Sequence, residues 1–169
     1  MGSESAVGGL DPLSEAEEAF FRAFGRALVT VPRALDADLM REQGMSASEY
    51  FTLMHLSEVP DRSLRMGDLA AAAALSLSGM TRIVQRLEAQ GFVRREKSVC
   101  DGRSWIATLT DTGYERLTQA WPSHLASVRR HVMDHLREAD LEGFTVALQK
   151  FAANTRAQAE ECAAPAAAI

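Results

Sequence analysis

Within the ten residues from Arg94 to Arg103, four cations (Arg94, Arg95, Lys97 and Arg103) stand around a single Asp101-Gly102 pair. Guanidinium and ammonium groups hold anions: arginine as a planar fork, lysine as a point charge. A second set lies just upstream, where Ser76, Ser78, Thr81, Arg82, Gln85 and Arg86 combine small hydroxyls with long donors. The chemistry on offer is recognition of a polyanion, with phosphate as the natural acceptor. Between Arg62 and Trp105 eight basic residues face four acidic ones, so this segment carries +4 while the rest of the chain carries −9. A basic centre between acidic flanks suits a protein that touches nucleic acid with only part of its body. The alternative on charge alone is a solvated basic face with no partner.

The elements that must position these groups are mainly helical. Ser14 with Glu17, and Ser46 with Glu49, read as two capping boxes. After the first, Phe20, Phe24, Leu28, Val31, Leu35 and Leu39 recur as one helical stripe, stopped by Gly44. Pro32 inside that run predicts a kink near Leu28, or two helices. After the second box, Tyr50, Leu53, Met54 and Leu56 form a buried side, ended by Pro60-Asp61. A short extended "SLRM" leads to the alanine-rich "GDLAAAAAL" and then to "SLSGMTRIVQRLEAQG", capped by Ser76 and stopped by Gly91. In the latter, Met80, Ile83, Val84 and Leu87 share one face and Ser78, Arg82, Gln85 and Ala89 the opposite one, with Thr81 and Arg86 at the margins. Two short helices joined by a tight turn make a helix-turn-helix.

The basic segment then reads as a hairpin. "VRREKSV" and "RSWIATL" flank Asp101-Gly102, and both turn positions tolerate positive φ. Trp105, Ala107 and Leu109 alternate with Ile106 and Thr108, as a half-buried strand does. A hairpin directly after a helix-turn-helix is the wing of a winged helix. Its helix suits the major groove, where base edges are distinguishable, and its tip the adjacent minor groove.

The run "LSLSGMTRIVQRLEAQGFVRREKSVCDGRSWIATLTDTG" resembles the MarR (multiple antibiotic resistance regulator) family of transcription factors. The specific signature is Asp101-x-Arg103 followed by Leu109-Thr110-x-x-Gly113. The resemblance runs from Ser14 to Asn154, with one departure at Gly79, where the family more often has a polar or β-branched residue. It implies a mainly α fold with a small antiparallel β-wing. Its parts would be an N-terminal dimerisation helix at 14–43, a winged helix-turn-helix at 46–109 and C-terminal dimerisation helices at 110–157. Residues 1–13 and 158–169 read as disordered tails. By the same resemblance, Ser78, Thr81, Arg82 and Gln85 would face the major groove, with the cap residue Ser76 also among the DNA-binding residues. Arg86, Arg95 and Lys97 would meet phosphates, Arg103 would enter the minor groove, and Asp101 would brace it or a neighbouring arginine. For Arg86 the alternative is an intradomain salt bridge. The expected partner is double-stranded DNA with a near-palindromic site, read by a homodimer acting as a ligand-responsive repressor. The other reading of a winged helix is a protein–protein module that binds no DNA.

The signal is less legible. The resemblance implies a pocket for a small aromatic or phenolic acid, and Arg22, Phe24, Arg26 and Tyr50 are candidate lining groups. His124, His131 and His135 share one helical face and could suit a transition metal, although no fourth ligand is visible and Pro122 interrupts the helix start. Cys100, beside Asp101, could be oxidised. No metal or other cofactor is expected. No Gly-rich phosphate loop, nucleophile elbow or HExxH is present, so an enzyme is not expected. No run approaches a membrane span and "MGSESAVGG" is no signal peptide, which makes the cytoplasm the expected compartment and a membrane partner unexpected.

Overall fold

The computed structural model describes residues 11–97 and 104–163, with side chains as far as 154. It contains two compact units, one ending at His131 and the other beginning at Val132. The first is built from α1 (Glu15–Gln43), α2 (Ala47–Ser57), β1 (Ser63–Arg65), α3 (Met66–Ala72), α4 (Leu77–Ala89), β2 (Val93–Lys97), β3 (Trp105–Leu109) and α5 (Asp111–His131). The second holds a 3-10 turn, Met133–His135, and α6 (Leu141–Ala163).

Both expected capping boxes form, Ser14 with Glu17 and Ser46 with Glu49. Gly44 closes α1 in the left-handed conformation at φ 61°. Of the two outcomes expected at Pro32, division into two helices does not occur. The ring sits inside one continuous α1, and the many other bonds of a 29-residue helix outweigh the single one a proline forfeits. Pro122 likewise lies inside α5 and does not interrupt it.

The core of the first unit lies where α2, α3 and α4 meet the sheet. Leu53, Leu56, Leu69, Met80, Val84 and Leu87 are fully enclosed there. Leu39 is the point at which α1 enters that core. The sheet has three strands in the order β1-β3-β2, all antiparallel. "SLRM" is therefore more than a connector, since Ser63–Arg65 pairs with Ile106–Thr108 and gives the wing a third strand. Ala107 and Leu109 turn inward while Trp105, at the outer end of the same face, stays exposed.

The C-terminal part of helix α1 is tied to α2 and α5. Buried Asp38 accepts from Ser127 at 2.7 Å, Arg41 at 2.5 Å, Arg130 at 3.1 Å and, through a 2.9 Å contact, His131. The Ser127 hydroxyl and then the Arg41 guanidinium hold its carboxyl far below the usual carboxylate range. Asp36 accepts from the Ala47 amide at 2.7 Å, and Gln43 is held by Ser123 and Arg116. Towards its start, α1 leaves Phe20, Phe21, Leu28 and Val29 exposed.

Candidate nucleic-acid interface

Helix α4 begins at Ser76, whose hydroxyl accepts from the Gly79 amide at 3.1 Å. It ends in a Schellman pair: the Phe92 amide donates to Leu87 O and the Gly91 amide to Glu88 O, with Gly91 at φ 76°. The turn before α4 has the same design, with Leu75 donating to Ala70 O and Ala74 to Ala71 O, except that Ala74 rather than glycine takes the left-handed φ of 53°. Met80, Ile83, Val84 and Leu87 are buried, so the opposite side of α4 faces outward. Ser78, Arg82 and Gln85 are exposed there. Among the described residues neither Arg82 nor Gln85 has a hydrogen-bond partner, so two side chains able to make bidentate base contacts keep their donors unspent. Thr81 is half-buried and donates to Leu77 O at 2.7 Å, which leaves its oxygen as an acceptor only.

Two expected phosphate contacts are spent inside the fold. Arg86 donates from Nε to Glu49 at 3.0 Å, so the intradomain salt bridge is the alternative the structure takes. Burial raises the Glu49 pKa, but the Ser46 amide, Arg86 and the Ser46 hydroxyl outweigh it and leave the carboxyl below its ordinary value. Arg95 donates from Nε to Glu88 at 2.7 Å, with Nη2 at 2.6 Å from the same oxygen. It therefore ties β2 to α4 with little surface left to offer. Lys97 remains exposed, 5.9 Å from the Trp105 ring. Cys100, Asp101 and Arg103 lie outside the described residues, as does the Asp101-Gly102 turn.

The Leu109-Thr110-x-x-Gly113 signature has a clear local purpose. The Thr110 amide donates to Phe92 O at 3.1 Å, and the Thr110 hydroxyl lies 2.8 Å from Gly91 O. The same hydroxyl caps α5 by accepting from the Gly113 amide at 3.0 Å. Gly113 is pressed against the chain: a Cβ there would strike the Phe92 carbonyl and stand 2.8 Å from Leu109 Cδ1. The signature thus locks the end of α4, the base of the wing and the start of α5 together.

A cleft of about 390 Å³ opens between α4 and the wing, with Leu77 and Thr81 on one side and Arg95 and Trp105 on the other. Arg65 and Asp68 stand at its α3 end. Sequence reasoning gave no role to Arg65 or Glu88, read Glu49 only as a capping residue and read Trp105 only as a strand residue. For Arg65 a signal existed, since it is a cation at a helix start where a Ser, Thr, Asp or Asn is the favoured cap.

The remaining candidates separate. Tyr50 is wholly enclosed, packed 4.4 Å from the His124 ring, and no partner meets its hydroxyl among the described residues. Burial, then the charge of Glu58, pushes its phenol up to about 12. It is a core residue rather than an open pocket wall. Arg22 is exposed and paired with Glu18 at 2.5 Å, Arg26 is exposed, and Phe24 stacks on Phe20. The shared histidine face is corrected as well. Helix α5 ends at His131, and His135 lies in a separate 3-10 turn of the second unit, because Val132 adopts φ −132° and ψ −67° and leaves the helical region. His124 is buried against Tyr50 and Phe51, and His131 is spent on Asp38. Among the described residues no three metal-ligating side chains converge.

The sequence profile of the MarR family matches residues 43–104. The Bacillus subtilis HTH-type transcriptional regulator YkoM is 32% identical over 112 residues, which cover 65% of this chain and 70% of that protein. The transcriptional repressor MprA of Escherichia coli is 29% identical over 84 residues, 50% of this chain and 48% of MprA, so the chain spans about half the length of that relative. In three dimensions the chain is similar to Sco3205, a MarR family transcriptional regulator from Streptomyces coelicolor solved in complex with DNA. The TM-score is 0.79 and the identity 35%, over 85% of this chain and 94% of Sco3205. With a winged helix-turn-helix in place and this identity sustained over nearly the whole of a known regulator, the chain belongs to the MarR family of transcriptional regulators.

Proposed function

We propose that this regulator is a homodimeric repressor that binds double-stranded DNA at a near-palindromic site. The observation that carries the reading is the outward side of α4, where Arg82 and Gln85 stand with unspent donors beside Ser78 and next to a basic wing. Sco3205, solved with DNA, and MprA, a repressor, support it. Ser78, Thr81, Arg82 and Gln85 read base edges in the major groove, Ser76 contacts DNA at the start of α4, Lys97 holds a phosphate, and Arg103, braced by Asp101, enters the minor groove. Residues 14–43 and 110–157 serve dimerisation, and the exposed apolar side chains of α1 and α6 supply the surfaces. The effector is a small aromatic or phenolic acid, and the regulator works in the cytoplasm. No helix among the described residues is long and apolar enough to cross a membrane.

The test starts by selecting a duplex from a random-sequence library with the full chain. The recovered site should be an inverted repeat with half-sites about one helical turn apart. Anisotropy titrations should show tight binding that weakens steeply with salt and discriminates against a scrambled duplex. A library that returns no consensus, together with salt-insensitive capture of a protein partner, would establish the protein–protein module instead. A melting-temperature screen of phenolic acids against the protein, repeated with DNA present, tests the effector.

A further inference from the structure

The cleft between α4 and the wing has a feature that the fold itself does not use. Of its basic residues, Arg95 is committed to Glu88, whereas Arg65 is exposed and pairs with no carboxylate among the described residues. Neighbouring arginines are otherwise engaged: Arg62 with Asp111, Arg86 with Glu49, Arg94 with Glu96. Arg65 is also poorly suited to its place in the chain. It is the N-cap residue of α3 and makes no capping bond with its side chain. A cation there also meets the positive end of the peptide dipoles, the reverse of the favourable arrangement. A side chain that works against its own helix start breaks a local rule, and such breaks belong with functional sites.

Its surroundings say what. A helix in the major groove and a wing in the adjacent minor groove are separated by one sugar–phosphate strand, because that strand is the wall between the two grooves. On this molecule the gap between α4 and the wing is the cleft, with Leu77 and Thr81 on the helix side and Trp105 on the wing side. The geometry points to Arg65 as the clamp that holds a phosphate of this intervening strand, with Trp105 and Leu77 as apolar walls against the sugar. Both apolar side chains are exposed, Trp105 at 43% and Leu77 at 56%, so they are available to a partner. Asp68 is the acid that lines the cleft and opposes an anion, and it stands one helical turn beyond Arg65. The inference rests on the DNA-binding reading above and adds to it a contact that positions the helix and the wing on one strand.

The experiment uses the full chain and its selected duplex, with anisotropy titrations across a salt series. Arg65→Ala should weaken cognate and scrambled duplexes by similar factors and lower the salt slope by roughly one. Arg65→Lys should keep the slope. Arg65→Ser separates binding from folding: it supplies the missing cap, so its melting temperature should rise while DNA binding falls. Arg82→Ala serves as the control for the major-groove reading. If Arg82→Ala weakens binding while Arg65→Ala leaves affinity and slope unchanged, the clamp is overturned and DNA recognition stands. If neither substitution alters binding, both fall. A loss confined to the cognate duplex would make Arg65 a base reader and would also overturn the phosphate assignment.

Discussion

At the residue scale, the basic side chains of this winged unit divide into those that build it and those left for a partner. Arg95 and Lys97 sit two positions apart on β2, yet only Arg95 has a carboxylate against it on α4. Arg95→Ala should therefore lower the melting temperature, by about 1–3 kcal/mol of stability for a partly enclosed charge-assisted contact, with little change in the salt slope of DNA binding. Lys97→Ala should do the opposite, with an unchanged melting temperature and a slope smaller by roughly one. Equal behaviour of the two variants would show that the Glu88 pair is not a brace. A second residue-scale effect concerns pH. Burial holds the His124 pKa below its ordinary value of about 6.5, so the folded chain resists a proton that the unfolded chain accepts. The contribution of neutral His124 is complete above that ordinary value and is lost as pH falls from it through the lowered folded value. Melting temperature should thus decline between about pH 7 and pH 5, and His124→Phe should flatten the decline. Asp38 and Glu49, whose pKa values are lowered, lose their contributions only in the more acidic carboxylate range, which keeps the two windows apart. An equally steep decline in His124→Phe would assign the effect to another group.

At the element scale, the parts legible in the sequence are those whose cause is local. Ser14, Ser46 and Ser76 announce helix starts, Gly44 and Gly91 announce ends, and the buried quartet of α4 follows from spacing alone. What stayed hidden depends on distant partners. "SLRM" becomes a strand because β3, about forty residues later, offers it a free edge, and nothing within the four residues signals that pairing. Helix α5 stops at His131 rather than continuing towards Leu136, and the residue it stops at is one that Asp38 of α1 holds. Arg86 and Arg95 look alike in sequence to any surface arginine; their assignment turns on where Glu49 and Glu88 lie after folding. The Leu109-Thr110-x-x-Gly113 signature was readable as a pattern, while its reason, the packing of Gly113 on Phe92, needed the fold. That packing is testable. Gly113→Ala must displace either β2 or the start of α5, and we expect a loss of about 1–3 kcal/mol, seen as a lower denaturant midpoint with an unchanged m-value. A neutral substitution would mean that the junction of α4, wing and α5 is looser than these contacts imply.

At the scale of the whole molecule, each chain carries one α4, so the proposed dimer is what would bring two such helices to one duplex. Deleting α1 is a poor test of dimerisation, because Leu39 belongs to the core of its own chain and Asp38 anchors α5, so the deletion would damage the monomer regardless. The informative residues are those that the first unit leaves uncovered. Phe21 is 66% exposed and Leu28 59% exposed, and their spacing of seven places them on one side of α1, two turns apart. Both lie well before the anchored segment that begins at Asp36. Placing Glu at each position adds two charges that a monomer would leave in water at little cost, whereas a two-fold interface would bury four of them close together. The Phe21→Glu, Leu28→Glu double variant should therefore keep its helical circular dichroism and elute, by light scattering, at the mass of one chain. Wild type should elute at twice that mass. On an inverted-repeat duplex the variant should bind half-sites independently and lose most of the affinity that two linked helices confer. A double variant that stays dimeric would move the interface away from this side of α1, and a wild-type chain that is monomeric at micromolar concentration would remove the two-fold reading of the operator altogether.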